Sequence, residues 1–397
     1  MRKNAVDREI RPVLNGICAV SGVSAAAISC GFGADEGKDL ALIVPKRRCP
    51  VAIASFGEEE NKLTSFYKKR LKNGCAQAIL FANGFSYAAQ EDGFAFAENI
   101  CREVDLVTRY SGAETLFFSV GELGNKLPLD KLAWKKYLKE LPRGLGDTEE
   151  NSLLVTRALK GRNGMAKQFA FSFFIGDVLC KMGVICRMGT DATLILITTD
   201  ANVSQAMLQR SLDAGVRETL RLLCLGYPQT PNDCICVLAN GSAGNCLIDR
   251  VDSEYKKFDS AFRLVLAETC KTLALGNAEG GILLCLVTDA RSKQTARAAA
   301  KALANTSFVR LAKCTGALEA ESIIYTVLQE ENGIDIANLQ IFVSSGDKTL
   351  CLFENGRKLL YGQELLAEIF AARETKIEVC LNMGNYSATA YGSSILL

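Results

Sequence analysis

Three glycine-bearing segments carry the residues whose types and spacing could do chemistry in this chain: Phe81-Ala82-Asn83-Gly84, Ser119-Val120-Gly121-Glu122-Leu123-Gly124 and Leu238-Ala239-Asn240-Gly241-Ser242-Ala243-Gly244-Asn245. Each alone reads as a turn at a strand end; their order and spacing together say more. None fits a G-x-G-x-x-G or Walker pattern at a strand-to-helix junction, so a nucleotide-binding fold is not supported. The chain has no histidine. That excludes Ser-His-Asp and Cys-His catalysis, histidine-ligated metals and imidazole acid–base steps. Any base must be a carboxylate, a lysine, a thiolate or a free α-amino group. The 16 cysteines sit in apolar runs such as Ile17-Cys18-Ala19 and Leu284-Cys285-Leu286, as small buried hydrophobes of a reducing compartment do. Cys234 and Cys236, one residue apart on an apparent strand, do not match zinc-ligand spacing. No metal and no cofactor is expected.

Elements must position these segments. Val13 to Cys18, Leu40 to Val44, Ala78 to Ala82, Thr115 to Val120, Leu194 to Thr198, Cys234 to Leu238, Gly281 to Thr288, Leu339 to Val343 and Ile377 to Leu381 read as strands. Residues 88–103, 203–224, 254–274, 292–305, 317–329 and 363–372 read as helices, with apolar positions three and four apart. Strands separated by helices indicate a layered α/β sandwich. A length of 397 residues exceeds a single ordinary core and suggests two lobes. The strongest candidate boundary lies between about residues 140 and 190, where Pro142-Arg143-Gly144-Leu145-Gly146-Asp147 punctuates the chain. A second turn cluster runs from Gly226 to Asp233.

Lys plus Arg (46) nearly balance Asp plus Glu (44). The short runs Lys46-Arg47-Arg48 and Lys68-Lys69-Arg70 are isolated, whereas a nucleic-acid footprint needs many clustered cations. No nucleic-acid partner is expected. Nor does any stretch approach the roughly 20 uncharged apolar residues of a membrane span, so the expected location is the cytoplasm.

In order and spacing the motifs resemble the ornithine acetyltransferase (ArgJ) family over nearly the whole chain. Val13-Leu14-Asn15-Gly16, Ser21-Gly22-Val23 and Lys38 to Ile43 are similar to its opening strand pair. Ala78 to Ala88 with Asp92-Gly93 resembles its N-S-G-N-A-N-A segment, and Ser119 to Gly124 with Leu127-Pro128 its S-T-G-V-I-G…L-P segment. Thr198-Thr199-Asp200-Ala201, Asn232-Asp233 and Leu238 to Asn245 resemble its T-T-D-A, T-N-D and L-A-N-G-A-A-G blocks. Asn355-Gly356 and Ser387 to Gly392 are similar to its closing region. The resemblance implies a layered α-β-β-α sandwich of the ornithine acetyltransferase and self-cleaving aminopeptidase type.

It also implies a function: transfer of an acetyl group from acetylornithine to glutamate in arginine biosynthesis, after the chain cuts itself before an internal threonine. The freed α-amino group, with an ordinary pKa near 8, then serves as base for its own hydroxyl, which suits a histidine-free chain. Counting back from Ala201 without a gap, Lys181 falls on the family lysine and Ala192 on the nucleophile, with Thr193 one position late and Thr190 two early. A one-residue gap aligns Ala192-Thr193-Leu194 with the family's A-T-M and makes Thr193 the nucleophile. The resemblance implies two regions, residues 1–191 and 192–397, packed as one unit. The oxyanion pair, a threonine and a glycine in the family, reads Val120-Gly121, leaving Gly121 as the donor. Substrate contacts fall on Thr156, Lys181 and Glu279; the family's T-T-D is here Val155-Thr156-Arg157, and its D-G-E-G-A-T-K is here Asn277 to Ile282. The expected partners are small amino acids and a second copy of the chain or a paralogue. The alternatives are an uncleaved, catalytically lapsed relative that binds or assembles, and an amidohydrolase.

Overall fold

In the computed structural model, residues 10–33, 37–57, 59–71, 73–108, 114–122, 124–161, 164–225, 230–276, 281–331 and 333–393 are described. They form a mixed α/β protein with two compact units, one of residues Met1–Val216 and Gln229–Val265, the other of Arg217–Pro228 and Leu266–Leu397. Among the described residues no helix is long and apolar enough to cross a membrane.

In chain order the first unit contains β1 (Arg11–Val13), β2 (Val23–Ile28), β3 (Leu40–Pro45), β4 (Cys49–Ala54), α1 (Lys62–Arg70), β5 (Cys75–Ala76), β6 (Ala78–Asn83), α2 (Gly93–Thr108), β7 (Thr115–Val120), α3 (Lys131–Glu140), α4 (Glu149–Lys160), β8 (Met165–Ile175), β9 (Val178–Met188), β10 (Thr193–Thr199) and α5 (Gln205–Glu218). The short β11 (Leu223–Cys224) belongs to the second unit, and β12 (Cys234–Ala239) and the start of α6 (Ser253–Leu275) return to the first. Seven strands pair in the order β1-β8-β9-β10-β12-β4-β5, and four in the order β2-β3-β6-β7. The two sheets bury one continuous core between them: Leu194, Leu196, Cys236 and Leu238 share a cluster with Leu40, Leu42, Ile79 and Phe81. On the outer side of the larger sheet Phe173 of β8 meets Phe258 of α6, ring centroids 6.5 Å apart. Phe117 of β7 packs edge-on against Trp134 of α3, 6.0 Å away.

In the second unit, β13 (Ile282–Ala290), β14 (Gln340–Ser345), β15 (Lys348–Glu354), β16 (Arg357–Lys358), β17 (Glu374–Cys380) and β18 (Tyr386–Ser393) join β11 in the order β11-β18-β13-β17-β14-β15-β16. Helices α7 (Lys293–Asn305), α8 (Ser307–Thr315), α9 (Ala320–Glu330) and α10 (Gln363–Ala371) contribute to its own core.

Most strand and helix readings meet an observed element, and two expectations are corrected. Val13 to Cys18 is no continuous strand, because Asn15 and Gly16 adopt left-handed φ values of 77° and 50° and Gly16–Ala19 winds into a 3-10 helix. The candidate boundary at 140–190 lies inside the first unit. Its glycine-rich turn is paired to β2, with Ala25 and Gly146 exchanging backbone hydrogen bonds of 2.8 and 3.2 Å. Beyond it the chain forms the long β8–β9 hairpin. Residues 226–229 of the second turn cluster lie outside the described residues. The basic runs are used within the surface: Arg47 donates to the carbonyls of Asn240 and Gly241, and Arg48 pairs with Glu114.

Candidate functional site

Parallel strands β6 and β7 end side by side, Asn83 opposite Val120. The Gly84 N–H extends the ladder by donating to the Val120 carbonyl at 2.8 Å. Neither following glycine could carry a side chain. A Cβ on Gly84 would lie 2.1 Å from the Phe32 carbonyl oxygen, and one on Gly121 2.3 Å from the Phe85 nitrogen. The loop that crowds Gly84 is pinned by buried Asp39, whose carboxylate accepts from the backbone N–H groups of Cys30, Phe32 and Gly33 at 2.6, 2.7 and 3.3 Å. These strand ends, the end of α4 and the β9–β10 turn surround a cleft of about 460 Å³.

Helix α4 is positioned by both its ends. Thr148 caps its start by accepting from the Asn151 N–H, with Glu149 and Glu150 in the first turn. At its other end, carbonyls with no helical partner accept from the side chains of Asn83 (to Ala158, 3.0 Å) and Arg187 (to Leu159, 3.0 Å). Gly161 then turns away at φ 61°, a Cβ there meeting the Asn83 amide at 2.4 Å. This arrangement brings Arg157 and Lys160, on the last turn, to the cleft, with Lys38 also in its lining. None of these three cations has a carboxylate within ion-pair distance among the described residues. The carboxylates of the lining are Asp39, Glu122 and Asp191, of which Asp39 is bound by backbone donors and Asp191 pairs with Arg187 at 2.6 Å. The cleft can therefore hold a small anion-bearing molecule against glycine-rich walls.

The turn joining β9 to β10 holds one peptide bond at both ends. The carbonyl oxygen of Ala192 accepts from Arg187 Nη1 at 2.6 Å and from the Gly189 N–H at 3.0 Å. Across the same bond, the Thr193 N–H donates to Asp233 Oδ1 at 2.6 Å. Asp233 also accepts from the Thr230 N–H and hydroxyl, both at 2.9 Å. Burial pushes its carboxyl above the usual range, opposed by those hydrogen bonds and by the positive charge of Arg187.

The sequence-chosen residues are dispersed. Gly121 lines the cleft, as does Thr190. Val120 is buried in the core between the sheets. Thr193 opens β10 and is absent from the cleft lining. Ala192, Leu194 and Leu196 face the inter-sheet core, so strand alternation turns Thr193, with Ile195 and Ile197, to the opposite face. Thr156 bonds back to the Ser152 carbonyl and to Gln168 at 3.0 and 3.1 Å. Lys181 lines a separate hollow of about 370 Å³ with Asn15, Ser21 and Asp147. The pairing of Thr193 with Met188 and Thr199 with Met182 sets Lys181 near the far end of β10 from Thr193, roughly 20 Å along the strand at about 3.3 Å per residue. Glu279 lies outside the described residues. Sequence reasoning missed Arg187, Arg157, Lys160 and any role for Asp233. Arg187 had a signal, a lone charge in the apolar run Val184-Ile185-Cys186-Arg187-Met188.

The ArgJ family model matches residues 24–396. Among similar proteins, arginine biosynthesis bifunctional protein ArgJ 1 of Clostridium acetobutylicum is 25% identical, covering 94% of this chain and 92% of its own. Glutamate N-acetyltransferase of Methanothermobacter thermautotrophicus is 24% identical over 98% of this chain and 96% of its own. Of solved structures, arginine biosynthesis bifunctional protein argJ from Bacillus halodurans matches with TM-score 0.47 and 24% identity, over 51% of this chain and 93% of that one. Ornithine acetyltransferase from Mycobacterium tuberculosis, complexed with ornithine, matches with TM-score 0.36 and 19% identity, over 41% and 88%.

Proposed function

This chain belongs to the ArgJ family, and on that footing we propose that it transfers acetyl groups between amino-acid amines in arginine biosynthesis, from acetylornithine to glutamate, after cutting itself before Thr193. The observation that carries this reading is convergence: Asn83-Gly84, Gly121 and the β9–β10 turn, far apart in sequence, line one cleft of about 460 Å³. The relatives named for arginine biosynthesis and glutamate N-acetylation support the substrate class. In this reading Thr193 is the nucleophile, its freed α-amine the base that a histidine-free chain requires, and the Gly121 N–H the oxyanion donor. Lys38, Arg157 and Lys160 attract the substrate carboxylate. Cutting frees the Thr193 backbone from its strand geometry, so that its hydroxyl can turn toward the cleft.

A second reading, an uncleaved relative that binds ligand without turnover, is favoured by two particulars. Val120 puts an apolar, core-buried side chain where a hydroxyl donor is expected, and Thr193 lies on the face opposite the inter-sheet core. One missing oxyanion donor costs roughly a factor of 100–1000 in rate.

Intact-mass and N-terminal analysis after prolonged incubation, followed by an assay of acetylornithine-dependent glutamate acetylation, separates the two. A fragment beginning at Thr193, with transfer, is the expected result. An uncut chain that binds acetylglutamate but transfers nothing selects the second reading.

A further inference from the structure

We infer that Arg187 and Asp233 drive scission of the Ala192–Thr193 peptide bond, Arg187 by holding the carbonyl oxygen as negative charge develops on it and Asp233 by carrying the proton to the leaving nitrogen. The inference rests on the cleavage reading and gives it two residues to which the sequence had assigned no role.

The geometry is specific to this bond. Two donors converge on one carbonyl oxygen, the guanidinium at 2.6 Å and the Gly189 N–H at 3.0 Å, the arrangement that stabilises a tetrahedral oxyanion. Arg187 is 2% exposed, and its other contacts, Leu159 O at 3.0 Å and Asp191 at 2.6 Å, fix the guanidinium in place. Its charge acts in a medium that screens poorly. Gly189 keeps the turn tight, since a Cβ there would lie 2.5 Å from Asp191 Oδ1 and 2.9 Å from Arg187 Nη2. On the other side of the bond Asp233 is in contact with the nitrogen that must leave.

In the reaction, Thr193 Oγ attacks the Ala192 carbonyl carbon and forms a tetrahedral intermediate whose oxygen stays on Arg187 and Gly189. The C–N bond then breaks, leaving an ester between the Ala192 acyl group and Thr193 Oγ. The nitrogen gains a proton from Asp233 as the hydroxyl proton is given up to that carboxylate, so the step is a net N-to-O shift. Water hydrolyses the ester to the Ala192 carboxylate and a free N-terminal threonine.

The test follows processing of the purified full-length chain by mass spectrometry, with hydroxylamine added in parallel to cleave accumulated ester. Arg187→Met is expected to slow ester formation about 100-fold or more, Arg187→Lys to restore part of the rate, and Asp233→Asn, which keeps the shape of the carboxyl, to slow it comparably. Circular dichroism confirms folding of each variant, and the two conservative changes carry the test if Arg187→Met does not fold. Folded Arg187→Lys and Asp233→Asn processing at the wild-type rate overturn the role given to the pair while leaving self-cleavage standing. An uncut wild type, with no hydroxylamine-sensitive bond, overturns the cleavage reading and this inference with it.

Discussion

A buried arginine is tolerated only when its N–H groups find acceptors, because desolvating the charge costs several kcal/mol otherwise. Arg187 meets that demand with two backbone carbonyls and Asp191, and in doing so ties the end of α4 to the start of β10. Arg157 is the contrasting case, exposed at the cleft in place of the acidic residue of the resembled T-T-D segment. In the proposed function its charge attracts a ligand carboxylate. Arg157→Glu is expected to weaken binding of acetylglutamate about tenfold by calorimetry, by reversing a charge near the surface. The difference should shrink as salt is raised. Arg187 was legible as a misplaced charge in an apolar strand, whereas Arg157 was overlooked beside Thr156, whose hydroxyl is bound within α4 and to Gln168.

Helix α4 and the β9–β10 turn position the cleft, and the end of α4 depends on a backbone conformation that favours glycine. Gly161 at φ 61° lets the chain leave α4 beneath the Asn83 amide. Gly161→Ala is expected to lower stability by about 1–3 kcal/mol for the positive-φ, extended backbone alone, with a further loss from the collision with Asn83. Chemical denaturation measures the loss, and acetylglutamate binding should weaken with it as Arg157 and Lys160 shift. The strands were legible where apolar runs were continuous, as in β6, β7, β10 and β12. The β8–β9 hairpin was not, because Met165–Ile175 mixes buried, half-buried and exposed positions and its sequence neighbourhood is glycine-rich. Asn15 and Gly16 show the opposite failure: an apolar pattern continues across them while the backbone turns left-handed.

Across the whole molecule the cysteines tie stability to pH. None of the 16 is in a disulfide. Burial pushes Cys18, Cys101, Cys180 and Cys186 up to about 12, against an ordinary value near 9. The folded form binds these protons more tightly than the unfolded chain, so their contribution is fully present below pH 9 and is lost as pH rises toward 12. The thermal midpoint is therefore expected to fall between pH 8 and 10.5. At pH 8 a thiol reagent should react quickly with exposed Cys246 and Cys314 and with the buried thiols only after denaturant is added. Rapid reaction of Cys101 or Cys186 in the folded protein would contradict this.

By itself the sequence determined the exclusion of imidazole chemistry, the alternation of strands and helices that makes an α/β protein, and the order of motifs that identifies the family. These are properties of composition and local period, which neighbouring residues carry among themselves. Only the tertiary structure decided that Ala192 rather than Thr193 faces the inter-sheet core, that Arg157 and Lys160 reach the cleft while Lys181 does not, and that Asp233 meets the Thr193 nitrogen from 40 residues away. A period of two separates the faces of β10 but does not say which face a second sheet will cover. That choice is made by contacts between segments distant in sequence.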